Sequence, residues 1–184
     1  MNEKKLERGI VDSMREIVFG LEDALVSTLG AITGIAVGTQ STYVVILSGL
    51  VILFAEATSM TAGSYLSTKH AREAEILFHE RNNLEVHEDS THPARAAVVM
   101  GVSYLLGGVF PLFFYFVLPV TQAIIPAIIL TATVLFFVGY WAASFTRTSK
   151  IKSGIEMMLV SLAAAGIGYG IGRLVSAYFG VEIL

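Results

Sequence analysis

The amino-acid sequence predicts an all-α integral membrane protein with five transmembrane helices, the N-terminus cytoplasmic and the C-terminus outside. Three observations carry that reading. Of the 184 residues, 54% are hydrophobic and 15% charged, with a mean hydropathy of +0.70, whereas a soluble domain carries about 25% charged residues. Five apolar stretches reach about 20 residues, the length that crosses roughly 30 Å of hydrocarbon. Eleven of the twelve Lys and Arg residues fall on one side of a five-span chain, as expected when basic residues collect in short cytoplasmic segments. Residues 1–184 therefore read as a single transmembrane domain.

Residues 1–16 form a charged lead-in holding Lys4, Lys5, Arg8 and Arg15. Its Leu6, Ile10, Met14 and Ile17 recur at helical spacing, which predicts an amphipathic helix lying on the inner leaflet. A cleaved signal peptide fits poorly: the lead-in is long, Glu22 and Asp23 interrupt the apolar run, and no small-residue cleavage site follows. The first span, 17–37, and the second, 43–66, are joined by Thr39-Gln40-Ser41-Thr42. A polar connection, 68–93, carries Lys69, Arg72 and Arg81 and precedes Arg95. The third and fourth spans, 94–118 and 121–145, meet at Pro119-Val120-Thr121-Gln122. Arg147, Lys150 and Lys152 then precede the fifth span, 154–179. The one basic residue on the other side, Arg173, is placed to snorkel or to pair with a carboxylate.

With no Cys there is no disulfide framework, thiolate zinc site or iron–sulfur cluster. The glycines lie within apolar runs. Gly30, Gly34 and Gly38 in the first span, and Gly166, Gly168, Gly170 and Gly172 in the fifth, read as surfaces where backbones approach closely. A nucleotide-binding glycine loop would require a strand-to-helix context that is missing.

The informative residues are carboxylates where they are expensive, about 2.5–3.5 kcal/mol for Asp at a helix centre by insertion scales. Asp23 and Glu56 both fall roughly 10–15 Å from the inner ends of their spans, at 1.5 Å per residue, so they are expected to meet at one level. Met60 shares a helical face with Glu56 and matches Asp23 in depth. On the first helix Glu16, Gly20, Asp23, Ser27, Gly30 and Gly34 form one polar-and-small stripe. Carboxylates beside a thioether suit Fe²⁺ or a neighbour such as Mn²⁺ better than Mg²⁺ or Ca²⁺. One protomer supplies about three such ligands, too few for an octahedral ion. A two-fold dimer joined along the Gly30/Gly34/Gly38 stripe would double them. A metal binds only the deprotonated carboxylate, so its entry releases protons.

The segments Arg15-Glu16-Ile17-Val18-Phe19-Gly20-Leu21-Glu22-Asp23-Ala24-Leu25-Val26-Ser27-Thr28 and Ala55-Glu56-Ala57-Thr58-Ser59-Met60-Thr61-Ala62-Gly63-Ser64-Tyr65-Leu66-Ser67 resemble the first- and second-helix signatures of the vacuolar iron transporter family. Ile171-Gly172-Arg173-Leu174 is similar to the family's last helix. The resemblance implies a five-helix homodimer that carries Fe²⁺, and often Mn²⁺, out of the cytosol in exchange for protons, with no permanently bound cofactor. It puts the in-membrane metal site on Asp23 and Met60, with Glu16 and Glu56 as entry or proton-handling carboxylates. Two departures stand out. Ser64 occupies a place where the family often has Glu, and the 68–93 connection replaces a longer, glutamate-rich metal-capturing insert of eukaryotic relatives.

That connection holds Glu73, Glu75, Glu80, Glu85, Glu88 and Asp89 with His70, His79, His87 and His92. Glu75 and His79, four apart, have a permissible metal-ligand spacing. The alternative is a solvated, charge-balanced helix ending at Asn82-Asn83. Glu156 and Met157 open the fifth span, either admitting metal or packing at the interface. Other functions remain: a proton-coupled transporter of another cation, a membrane assembly subunit that would tolerate Asp23→Asn, or an intramembrane enzyme, for which no nucleophile motif exists. No basic patch lies outside the positive-inside segments, which argues against nucleic acid. The short linker and the lack of a targeting extension favour a prokaryotic plasma membrane.

Overall fold

The computed structural model describes residues 11, 13–82 and 92–179, and these are helical nearly throughout. Five helices are long and apolar enough to cross a membrane: α1 (Met14–Thr39), α2 (Thr42–Arg81), α3 (Pro93–Phe113), α4 (Val120–Ala142) and α5 (Lys150–Phe179). Short 3₁₀ turns, Phe114–Phe116 and Ala143–Phe145, finish α3 and α4. Most of the predicted lead-in, and Glu85, His87, Glu88 and Asp89 of the linker, lie outside the described residues.

The joints follow local chemistry. Gln40 closes α1 in the left-handed region (φ 50°), its N–H returning to the Ala36 carbonyl, a conformation that ends a helix and reverses the chain. Ser41 then caps α2, its hydroxyl accepting from the Val44 N–H at 3.4 Å. The apolar part of α2 ends near Leu66, but the helix continues to Arg81 and is capped at Asn82, whose side chain donates to the Phe78 carbonyl at 2.7 Å. The first half of the polar linker is therefore a solvated helical extension with an exposed Lys69–Glu73 pair at 3.9 Å.

Glycine positions fix the helix register. Gly101 on α3 faces Thr61 on α2, and Gly108 faces Leu53, so these helices run antiparallel. A Cβ added to Gly20 would lie 3.0 Å from the Met100 carbonyl oxygen, and one on Gly107 3.0 Å from that of Leu21; α1 and α3 are thus parallel neighbours. α1 meets α5 through Gly30 against Ala164, Gly34 against Gly168 and Gly38 against Gly172, again in parallel. The helices alternate in direction. The starts of α1, α3 and α5 share one end with the basic residues, called here the basic end; the other is the far end.

The Gly30/Gly34/Gly38 stripe packs against α5 of the same chain, and its glycines, each half-buried, also line an open groove between α1 and α5. Of the fifth-helix glycines only Gly168 and Gly172 touch α1, whereas Gly166 and Gly170 face open space, because a two-residue repeat places alternate members on opposite sides of a 3.6-residue turn.

The core is small and lies between helices: Ala24, Ile32, Leu53, Tyr104, Leu112, Tyr115 and Ala123 belong to one buried cluster. Large apolar side chains point outward on all five helices, among them Phe19, Phe54, Leu106, Phe137 and Leu174. An apolar belt this extensive is the surface of a protein solvated by lipid.

Candidate functional site

α1 is the central element, packed against all four other helices, and it carries the polar stripe into the bundle. Glu16, near its start, is 7% exposed, and Gly20 one turn later is buried where Met100 of α3 closes over it. Asp23 and Ser27 continue the stripe, each half-buried.

The best-defined polar contact joins three helices. The Tyr104 hydroxyl on α3 donates to Glu56 Oε2 on α2. Ser27 Oγ on α1 donates to the same oxygen at 2.9 Å and lies 2.8 Å from the Tyr104 oxygen. Tyr104 itself is fully buried. Three oxygens at mutual hydrogen-bond distance make three contacts, and two hydroxyls supply only two protons. A third proton, on Glu56, would complete the ring; without it, the carboxylate accepts both hydroxyl bonds.

This contact also sets the register between α1 and α2. Glu56 bonds Ser27, one turn beyond Asp23, and the two carboxylates are close enough to interact electrostatically. Met60 lies one turn from Glu56 along α2, toward the basic end. Met60 is half-buried and packs against the central cluster. Glu16 lies seven residues before Asp23, about 10 Å along the axis. Among the described residues no three His, Asp or Glu side chains form a metal cage within the chain.

The remaining candidates are at the basic end. Glu75 is exposed; His79 Nδ1 lies 2.8 Å from the Glu75 main-chain carbonyl, so the contact between these residues runs through backbone and leaves Nε2 for other partners. Glu156 is exposed and 3.8 Å from Lys152, and Met157 is half-buried. Ser64, where the resemblance leads one to look for Glu, is buried. Sequence reasoning missed two side chains. Tyr104 is distinguishable only as a hydroxyl-bearing ring within an apolar span, and Met100 only by lying at the depth of Glu16 and Asp23 on another helix.

Comparison with known proteins covers this whole arrangement. A family model described as the VIT family matches residues 14–88 and 72–173. Vacuolar iron transporter homolog 2 of Arabidopsis thaliana is 25% identical over 167 residues, covering 90% of this chain and 85% of that protein. Vacuolar iron transporter 1 of Eucalyptus grandis is 26% identical over 218 residues, covering 89% and 87%. That alignment is longer than the 184 residues present here, so the Eucalyptus protein holds a segment without counterpart in this chain. Vacuolar iron transporter homolog 5 of Oryza sativa subsp. japonica is 28% identical over 168 residues, covering 89% and 81%.

Proposed function

The chain belongs to the VIT family, and on that premise we propose that it transports iron as Fe²⁺, and Mn²⁺ with it, out of the cytoplasm in exchange for protons. It is a multi-pass membrane protein rather than an enzyme. The names of its relatives speak for iron as the cargo. The observation that supports this reading is the Glu56–Tyr104–Ser27 contact between three helices, with Met60 one turn from Glu56 on α2 and Asp23 one turn from Ser27 on α1.

In this reading the metal arrives at the basic end, which faces the cytoplasm by the positive-inside rule. Glu16 draws the ion in. Asp23 supplies a hard oxygen and Met60 a soft sulfur, a pair suited to Fe²⁺ and Mn²⁺. Glu56, held by Tyr104 and Ser27, takes up the returning proton. Asp23 and Met60 of one chain are fewer ligands than an octahedral ion takes, and in this reading a homodimer with α1 helices facing each other across the two-fold axis doubles them. The short α2–α3 connection, with Glu75 and His79 on its helical half, is a minor cytoplasmic antechamber, as are Glu156 and Met157. It also favours a prokaryotic plasma membrane as the place of residence.

The test is flux of Fe²⁺ and of Mn²⁺ into proteoliposomes under an imposed pH gradient. Gradient-driven uptake by the native chain, lost in Asp23→Ala and in Met60→Ala, is the expected result. A folded, dimeric native protein that moves neither ion would overturn the proposal and favour an assembly role.

A further inference from the structure

The far end of the bundle holds a cavity of about 190 Å³ between α1, α4 and α5, away from the carboxylate stripe. Its polar lining is Gln40 at the α1 reversal, Thr121 at the start of α4, and Tyr169 and Arg173 one turn apart on α5. All four can donate hydrogen bonds, the guanidinium through five N–H groups. None has a side-chain hydrogen bond or ion pair among the described residues. Among the described residues no carboxylate lines the cavity: Glu16, Glu22 and Asp23 lie in the half of α1 nearer the basic end, and Glu56 lies 14 residues inside α2 from its start.

Among the described residues lining the cavity, one carries a formal charge. The C-terminus of α1 and the N-terminus of α4 both reach this cavity, and their opposite helix dipoles offset each other. What remains is the full charge of Arg173. Snorkelling alone would explain an arginine near a membrane surface. It would not bring a phenol, a hydroxyl and an amide from three helices around the same space.

We propose that this cavity is an oxyanion site that takes a phosphate group, with Arg173 as its principal ligand and Tyr169, Thr121 and Gln40 as supporting donors. A guanidinium matches phosphate oxygens two at a time, and the volume admits a tetrahedral oxyanion with a few waters. The phosphate is that of a lipid headgroup or a free ion. Occupancy would neutralise the one positive charge placed in a span on the side where a cation leaves. The site itself does not depend on the transport reading, and its test measures binding rather than flux.

Two arms distinguish the sources, each with the full native chain, Arg173→Gln, Arg173→Lys and Tyr169→Phe. In neutral detergent, inorganic phosphate is titrated by calorimetry. From nanodiscs containing phosphatidylglycerol or phosphate-free diacylglycerol, retained lipid is counted by native mass spectrometry. Saturable phosphate binding weakened about tenfold or more in Arg173→Gln, and less in Arg173→Lys, supports a free-ion site. Phosphatidylglycerol retention lost in Arg173→Gln, without free-phosphate binding, supports a headgroup site. Identical behaviour of native protein and a monodisperse Arg173→Gln in both arms would overturn the proposal.

Discussion

The Tyr104 hydroxyl and the Glu56 carboxylate, on different helices and 48 residues apart in the chain, form a direct hydrogen bond inside the bundle, with Ser27 of α1 bonded to the same oxygen. Helices α1, α2 and α3 are therefore locked in register at one carboxyl group. Removing the phenol should be felt both in stability and in proton handling. Tyr104→Phe keeps the ring and is expected to cost about 1–3 kcal/mol, the range for a bonded partner lost from a buried polar group. The thermal midpoint should fall, and the pH dependence of proteoliposome flux should move relative to native protein. Unchanged values of both would remove Tyr104 from the mechanism.

Glu56→Gln provides a complementary prediction. The amide oxygen still accepts from Ser27 and Tyr104, so the helices should stay assembled. The side chain no longer exchanges a proton, so metal movement should lose its response to an imposed pH gradient. Gradient-driven flux at the native rate would show that Glu56 is structural.

Met60 separates packing from ligation. Met60→Leu preserves volume and should alter stability by less than about 1.5 kcal/mol, while removing the sulfur. Fe²⁺ and Mn²⁺ flux should fall by about tenfold or more, the scale of one lost metal–ligand interaction. Native flux in the leucine variant would return Met60 to the core as an ordinary apolar residue.

The α5 glycines predict opposite outcomes for the same substitution two residues apart. A Cβ on Gly168 collides with the Gly30 backbone, whereas one on Gly166 meets nothing within 4 Å. Gly168→Ala should lower the thermal midpoint markedly. Gly166→Ala should be neutral or raise stability by up to about 1 kcal/mol, through the better helix propensity of alanine. Equal effects would contradict the α1–α5 contact.

Three buried threonines offer a different kind of test. Thr28, Thr33 and Thr131 are completely enclosed, and their hydroxyls have no partner among the described residues; Thr61, by contrast, donates to the Ala57 carbonyl at 2.7 Å. An unpaired buried hydroxyl is unfavourable by about 1–3 kcal/mol. Thr131→Val is therefore expected to leave the thermal midpoint unchanged or raise it. A large drop would reveal an internal water or a hydroxyl partner supplied by another state of the bundle.

Much of this molecule was readable before its fold was known, for physical reasons particular to membranes. An apolar run of about 20 residues has few alternatives to a spanning helix, and all five appeared within a few residues of their observed limits, apart from the polar continuation of α2. Asp23, Glu56 and Glu16 stood out because acids in spans are costly. Met60 followed from Glu56 by helical geometry. Tyr104 did not stand out, because a tyrosine in an apolar span reads as packing, and its partnership depends on how α2 and α3 slide past each other. That register is set by side chains such as Thr61 seated over Gly101 and Leu53 over Gly108. The intrachain use of Gly34 was hidden for the same reason. A glycine surface announces a close approach without naming the partner.

One consequence lies in the length of α2. Forty residues without an internal proline give a rod of about 60 Å, and the candidate groups Glu56 and Met60 are near its middle. Phe78, close to its last residue, is 22 residues from Glu56, about 33 Å away along the same shaft. If the shaft pivots at Glu56, a tilt of about 5° swings that tip by about 3 Å while the carboxyl group hardly translates. Whatever grips the exposed end therefore acts on the bundle with leverage, trading a wide movement outside for a small, forceful one at the pivot.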